Sequence, residues 1–427
     1  MLEQLESYFD RLWPICRSIT GNGLRESLGI INELVPMTMH EIPSGTKCFD
    51  WTIPKEWNIK DAWIETPKGK RIAEFKVHNL HIVNYSIPVD QKLSYQELVK
   101  HIYTIPEMPD AIPYITSYYS EKWGFCMTHR EFEELDKEGD YHVFIDSTLG
   151  PGSLTYGEAI LKGESDREVL FSTYLCHPSM ANNELSGPLV QAMLYQALAQ
   201  MPKRKYTYRF VFAPETVGVI AYLSRIGEHL KSKLDAGFVL TCCGDPGDIT
   251  YKKSKIGNAL CDRVAEHVLN FEYPNHSIKP FAVGGSDERQ YCSPGFNLPM
   301  GSIIRSQYQE YKEYHTSLDN KEFISFEAMK DTVEALTKFV TVLELNEKYE
   351  GVVQHCEPQL GKRGMYPDSV DPLFNREALH NLMHFLSYAD GKKDLIEIAE
   401  ARNRSALVFT DAIKLCQDKS MVQPILK

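Results

Sequence analysis

The sequence predicts an α/β protein with a β-rich segment inserted early in the chain and a helical tail. Three observations carry that expectation. Near-continuous apolar runs at 168–177, 206–215 and 236–245 alternate with helical patterns, as strands buried on both faces of a sheet do. Each run ends on a side chain able to bind a metal or move a proton, namely His177, Glu215 and Asp245. From Phe49 to about Tyr119 the texture changes to aromatics, prolines and short alternating runs.

In chain order, residues 1 to about 40 place Leu, Tyr and Phe at helical spacing among acids and read as one or two helices. Short strands follow at 62–67, 76–85 and 111–116, with a helical pattern over 93–103. The run 168–177 is a strand and 185–200 a helix. A second strand, 206–215, leads into a helix from about 218 to 230, and 236–245 is the third strand. After a Pro/Gly-rich stretch, His315-Thr-Ser-Leu-Asp-Asn320 precedes a helix from about 325 to 347. Gly351, Pro358, Gly361, Gly364 and Pro367 mark a linker over 350–370. Beyond it, 376–388, 393–401 and 405–418 read as short helices.

The 427 residues are 43% hydrophobic and 24% charged, an ordinary globular composition that excludes long disorder. Lys and Arg number 46 against 58 Asp and Glu, a net charge of −12. Phosphate neutralisation needs clustered Lys and Arg, so neither a general nucleic-acid binder nor a binder of acidic membranes is expected. No apolar run is long enough for a transmembrane helix, and the acidic N-terminus lacks the basic start of a signal peptide. The ten cysteines are scattered, Cys242 and Cys243 are adjacent, and no CxxC spacing occurs. Reduced thiols and a cytoplasmic location are expected.

Ligand sites in open α/β sheets form outside the carboxyl ends of strands. Three strands delivering His177, Glu215 and Asp245 to one edge, with His315 on a later loop, describe a hydrolytic zinc site with a carboxylate beside it. Glu215 suits the general base, because Pro214 and Gly218 would hold the turn that presents it. Each residue also has a plainer role. Asp245 in Gly-Asp-Pro-Gly suits a turn, and Glu215 suits a helix N-terminus. Ser286-Asp-Glu-Arg-Gln-Tyr291 suits a solvated loop with an internal ion pair, or else Asp287 and Glu288 holding a substrate amine while Arg289 grips a carboxylate or carbonyl. Cys176, Cys242 and Cys243 read as small buried residues, since nothing pairs them with a base.

The order of these residues resembles the zinc aminopeptidase and glutaminyl cyclase superfamily. The similarity is closest to bacterial aminopeptidase-like proteins with an inserted β-domain and a C-terminal winged helix. It extends over nearly the whole chain, through Asp50-Trp-Thr-Ile-Pro-Lys-Glu-Trp57, Asn79-Leu-His81, Pro113-Tyr114, Trp123-Gly-Phe-Cys126, Cys176-His-Pro-Ser179, Pro214-Glu-Thr216, Gly285-Ser-Asp-Glu-Arg-Gln-Tyr291 and Tyr314-His-Thr316. The resemblance implies a mixed-sheet, phosphorylase/hydrolase-like catalytic domain over 1–45 and 130–350. It further implies an inserted β-rich domain over 46–129 and a winged-helix domain over 351–427. Its members often sit near genes for surface-polysaccharide or secondary-metabolite biosynthesis. The activity implied is zinc-dependent hydrolysis of an amide next to a free amine, on a small molecule or short peptide. Carried over by residue, His177, Asp245 and His315 hold zinc, Glu215 is the base, and Tyr314 joins Asp287, Glu288 and Arg289 against the substrate.

Two positions depart from that pattern. The close family has Asn-Asp-Asn-Leu-Ser-Gly where this chain has Asn182-Asn-Glu-Leu-Ser-Gly187, which puts Asn183 at the metal-bridging position. Glu184, one residue on, is the candidate replacement. Thr216 stands where two-metal enzymes have a glutamate ligand. One zinc rather than two is therefore expected. Deacylation of an amino sugar, or a metal-poor relative serving as a binding module, are the alternatives. From Gln354 to Lys427 ten Lys/Arg balance ten Asp/Glu, so the tail is expected to pack or self-associate rather than read DNA.

Overall fold

The computed structural model describes residues 1–365 and 376–425, so Pro367 and the end of the expected linker lie outside the described residues. The chain forms two compact units, 1–261 with 277–333 and 262–276 with 334–427. No helix among the described residues is long and apolar enough to cross a membrane.

The first unit is built on an eight-stranded mixed sheet. Its spatial order is Thr38–Pro43, Ser153–Leu161, Thr207–Ala213, Glu168–Tyr174, Leu234–Leu240, Met300–Ile304, Ile249–Lys252 and His276–Lys279. The four central strands, from Thr207–Ala213 to Met300–Ile304, run parallel, and the strands beside them are antiparallel. Every residue of Glu168–Tyr174 is buried, as the unbroken apolar run predicted. Helices Ser186–Ala199 and Val217–Lys233 make the parallel crossovers. The carboxyl ends of the parallel strands therefore share one edge of the sheet.

The β-rich segment forms a second sheet in the order Arg71–Ile72, Glu56–Glu65, Asp140–Gly150 and Val89–Ser94. Residues on both sides of the 129 boundary contribute to it. One of its faces closes over Ala62, Ile64, Leu98, Phe125 and Val143. The helix expected over 93–103 is cut to Tyr95–Leu98 and a 3-10 turn, because residues up to Ser94 are drawn into the strand. Asn79, from the Asn79-Leu-His81 motif, donates to Ser179 Oγ at 2.8 Å and ties this segment to the loop after the first central strand.

In the second unit the strand Lys348–Gly351 pairs antiparallel with both Asp390–Asp394 and Val422–Pro424. Helices Arg376–Tyr388, Leu395–Glu400 and Thr410–Asp418 complete a winged-helix arrangement. Asp394 and Glu397 form a capping box that starts the middle helix.

Candidate active site

The strand Glu168–Tyr174 runs out through Leu175 and Cys176 to His177, which is 3% exposed. Its neighbour Thr207–Ala213 runs out through Pro214 to Glu215. The two side chains meet at the sheet edge, with His177 Nε2 3.7 Å from Glu215 Oε2. The turn that presents Glu215 is tight. Gly218 N donates to Pro214 O at 3.1 Å, and a Cβ on Gly218 would lie 2.6 Å from Pro214 Cδ. Thr216 is held at φ +60 by a hydrogen bond from its N–H to Asp287 Oδ1 at 2.7 Å. Burial raises the Glu215 carboxyl above its ordinary range, against the pull of His177, Arg289 and a hydrogen bond from Ser286 Oγ to Oε1 at 3.1 Å.

Behind His177 lies Glu184. Its Oε2 is 2.8 Å from His177 Nδ1, and its Oε1 accepts from Cys176 N and stands 3.9 Å from Arg17 Nε. Arg17 is fully buried and its Nε also donates to His177 O at 3.2 Å. Burial disfavours the His177 imidazolium, but the hydrogen bond and charge of Glu184, with Glu215, leave its pKa raised. The carboxylate at Nδ1 fixes the ring and turns Nε2 towards Glu215. Glu184 thus supports a candidate ligand instead of facing the cleft itself.

Cys176, His177 and Glu184 place potential ligand atoms within 4.8 Å of one another. They form a hydrogen-bonded support rather than a metal cage. Cys176 Sγ and Glu184 approach the same nitrogen, Nδ1, and burial pushes the Cys176 thiol far up. The thiol is not poised as a nucleophile for the same reason.

His315 takes φ +56, and its carbonyl accepts from Tyr114 N at 2.9 Å. Its ring lies 5.3 Å from that of His177, with Tyr114 5.1 Å from His177 and 5.3 Å from His315. The inserted segment thus contributes a wall, Tyr114, which the sequence motif contained without assigning a role. Tyr314 stacks on His315 at 3.9 Å. Burial, and then His177, lower the His315 pKa to about 3, so the ring is neutral, and its buried Nε2 has no hydrogen-bond partner.

The remaining expected residues divide. Asn183 turns its Oδ1 to Tyr174 OH at 2.8 Å and its Nδ2 to Met180 Sδ at 3.6 Å. Asp245 does not join the histidines. Its Oδ2 accepts from Asn182 Nδ2 and Ser306 N, both at 2.9 Å, and its Oδ1 from Gly247 N at 2.8 Å and Ser306 Oγ at 2.6 Å. Four donors saturate that carboxylate, which corrects its assignment as a ligand to the turn role that Gly-Asp-Pro-Gly also suited. Asp287 keeps Oδ2 buried and unpartnered, and burial beside Glu215 raises its pKa strongly. Glu288 is paired with buried Lys252, whose Nζ also donates to Tyr308 OH at 2.6 Å. Arg289 Nη2 donates to Thr216 Oγ1 at 2.9 Å, and its Nε has no partner.

Two supporting residues carried no signal in the sequence. Arg17 is one. Asp319, four positions after His315, is the other: it accepts from Asn182 N at 2.6 Å and Asn183 N at 2.9 Å, and so pins the π-helical turn Ala181–Leu185.

The donor set tests the metal that the site suggests. A metal fits His177 Nε2, already oriented by Glu184, and the neutral, unpartnered His315 Nε2 with Glu215 close by. Of the further positions expected to hold metal, Asn183 has its oxygen engaged by Tyr174 and Asp245 accepts four hydrogen bonds, while Thr216 offers no carboxylate.

A family model described as a domain of unknown function (DUF4910) matches residues 7–346, and a winged helix-turn-helix model matches 347–424. A Clostridium acetobutylicum protein, named for polysaccharide biosynthesis and an aminopeptidase-like domain, is 45% identical over 93% of this chain and 90% of its own length. A crystal structure from the same organism, described as a peptidase, superposes with a TM-score of 0.92 at 41% identity, over 99% of this chain and 96% of that one. The zinc aminopeptidase of Bacillus subtilis shares the fold, with a TM-score of 0.58 at 12% identity over 80% of this chain and 95% of that chain.

Proposed function

Because the chain belongs to the DUF4910 family, with an aminopeptidase-like fold, we propose that it is a metal-dependent hydrolase of an amide bond beside a free amine. The observation that carries this reading is the approach of His177 Nε2 to Glu215 Oε2, at 3.7 Å, with His177 Nδ1 tied to Glu184. His177 and His315 would hold one zinc ion, which when bound supplies Lewis-acid polarisation of the scissile carbonyl. Glu215 Oε2 takes the proton of the attacking water, and its raised pKa lets it pass that proton to the leaving amine. Ser286 Oγ steadies the other oxygen. Tyr114 and Tyr314 shield the histidines from bulk water. Asp287 Oδ2 and Arg289 Nε, both buried without partners, are the groups offered to the polar head of the substrate, while Glu288 holds Lys252.

A small peptide or aminoacylated metabolite is the default substrate. The name of the Clostridium relative favours a second, deacylation of an amino sugar, by the same groups. A cytoplasmic location and self-association through the winged-helix unit belong to the same reading, supported by the free thiols and the balanced charge of the tail.

The test is elemental analysis of the purified chain, followed by hydrolysis of aminoacyl anilides and N-acyl amino sugars. About one zinc per chain is expected, with turnover that falls about 10²–10⁴-fold in Glu215→Gln at unchanged zinc content. A chain that takes up no zinc, or a Glu215→Gln variant that keeps its rate, overturns the proposal.

A further inference from the structure

The motif Asp50-Trp-Thr-Ile-Pro takes no part in the site above, yet aromatic surface stays exposed there. Strands Lys47–Cys48 and Trp51–Thr52 form a hairpin that turns at Phe49 and Asp50. Phe49 has φ +57, a region that bulky side chains avoid, and is 62% exposed. Trp51 is 40% exposed and lies 6.2 Å from Tyr119, whose hydroxyl is fixed by donation to Thr52 O at 2.8 Å. Phe49 meets Phe296 edge-on at 5.6 Å. Between the hairpin tip and the segment around Gln290 and Phe296 lies a cavity of about 420 Å³, a size suited to a small molecule. Its polar lining is Asp50, Glu228, Gln290 and Ser293; Glu228 accepts from Lys231 Nζ at 3.3 Å, so among the described residues Asp50 is the lining carboxylate not engaged by a Lys or Arg.

We propose that this cavity is a subsite for a pyranose ring bearing an amine. The C–H face of a pyranose is apolar and flat, and covers exposed aromatic rings such as Trp51 and Phe49. Its hydroxyls match the amide of Gln290, and an ammonium group matches the carboxylate of Asp50. A second copy of the chain is the poorer occupant. A two-fold contact would bring Asp50 against its own counterpart, on a chain of net charge −12. The subsite is distinct from the hydrolytic groups but shares a short helix with them. In Glu288–Tyr291, Glu288 and Tyr291 point inwards while Gln290 lines the cavity. The inference stands whether or not the chain hydrolyses amides.

The test is a titration of the full chain with the glucosamine disaccharide and, separately, with its N-acetylated form. Tryptophan fluorescence and calorimetry report binding, and light scattering reports the oligomeric state. Saturable binding of the amine form near the millimolar range is expected, at least about tenfold weaker in Trp51→Ala. Asp50→Asn should weaken the amine form more than the acetylated form. Trp51 is half exposed and its replacement should leave the melting temperature unchanged. Three results overturn the proposal: no saturation by about 50 mM of either sugar, equal affinity in Trp51→Ala, or a wild-type oligomer that Trp51→Ala dissolves.

Discussion

Glu184 bears most directly on whether His177 is a ligand. Its Oε2 lies 2.8 Å from His177 Nδ1 inside a fully buried network, so the contact is a charge-assisted hydrogen bond that water does not screen. Such partners behind a ligand change metal affinity by about 10–100-fold, or about 1.4–2.7 kcal/mol. Glu184→Gln keeps the shape and an acceptor while removing the charge, and should weaken zinc binding about tenfold. Glu184→Ala removes both contacts and also leaves buried Arg17 without its carboxylate, at a cost of about 3–5 kcal/mol in stability. The Gln variant is therefore the diagnostic one. Zinc affinity is measured by competition with a chromophoric chelator at neutral pH, and thermal unfolding of the same samples checks the fold. A Gln variant that melts with the wild type and binds zinc within about twofold of it would refute the supporting role. A wild type that binds none would instead refute the metal site.

Three further outcomes are expected. Asn183→Asp restores a carboxylate at the bridging position, and elemental analysis should find zinc rising from about one towards two per chain; an unchanged content would place the limit elsewhere. Gly218→Ala puts a methyl 2.6 Å from Pro214 Cδ, which should cost about 1–3 kcal/mol in urea unfolding and lower turnover by shifting Glu215; a stable, fully active variant would show that the turn can give. Asp319 has its pKa raised to about 7, first by burial, while its hydrogen bonds from Ala181, Asn182 and Asn183 resist. The folded state then holds a proton that the unfolded state has lost, so the contribution of Asp319 to stability is full below about pH 4 and disappears as pH rises through about 7, a loss of at most about 4 kcal/mol. The stability difference between wild type and Asp319→Asn should fall across that window, and a flat difference would refute the assignment.

Much of the site was legible because parallel strands deliver their last residues to one edge. An apolar run ending in a polar side chain is a local pattern, and His177 and Glu215 both show it. Asp245 shows it too, but the strand stops at Leu240 and the chain bends at Cys242, where φ is +48. By Asp245 the backbone has left the edge, and the carboxylate closes a turn on Gly247 N. Strand ends could not be placed that finely from an apolar run, whose last residues continue into the loop. The helix expected from Lys393 starts instead at Leu395, because Lys393 and Asp394 close the wing strand Asp390–Asp394; Asp-Gly-Lys-Lys-Asp has no strand pattern, and pairing with Lys348–Gly351 makes it one. Arg17 and Asp319 were invisible for a different reason. Their partners lie 160 and more than 130 residues away, and no spacing encodes a contact of that separation.

The departures at Asn183 and Glu184 are best understood as one change. An aspartate at 183 would stand beside Tyr174 OH and the Cys242 thiol, where a second cation would be needed to offset it. The amide there is neutral and is satisfied by Tyr174 without a metal. The negative charge reappears one residue later, at Glu184, where the π-helical turn swings it behind His177 and opposite Arg17. Buried charge stays paired in both arrangements, but its partner differs: a second metal in one, an arginine of the chain itself in the other. Moving the carboxylate by one residue thus exchanges a bridging carboxylate for a fixed imidazole, and under the proposed function His177 and His315 would then hold the metal with Glu215 free to carry the proton.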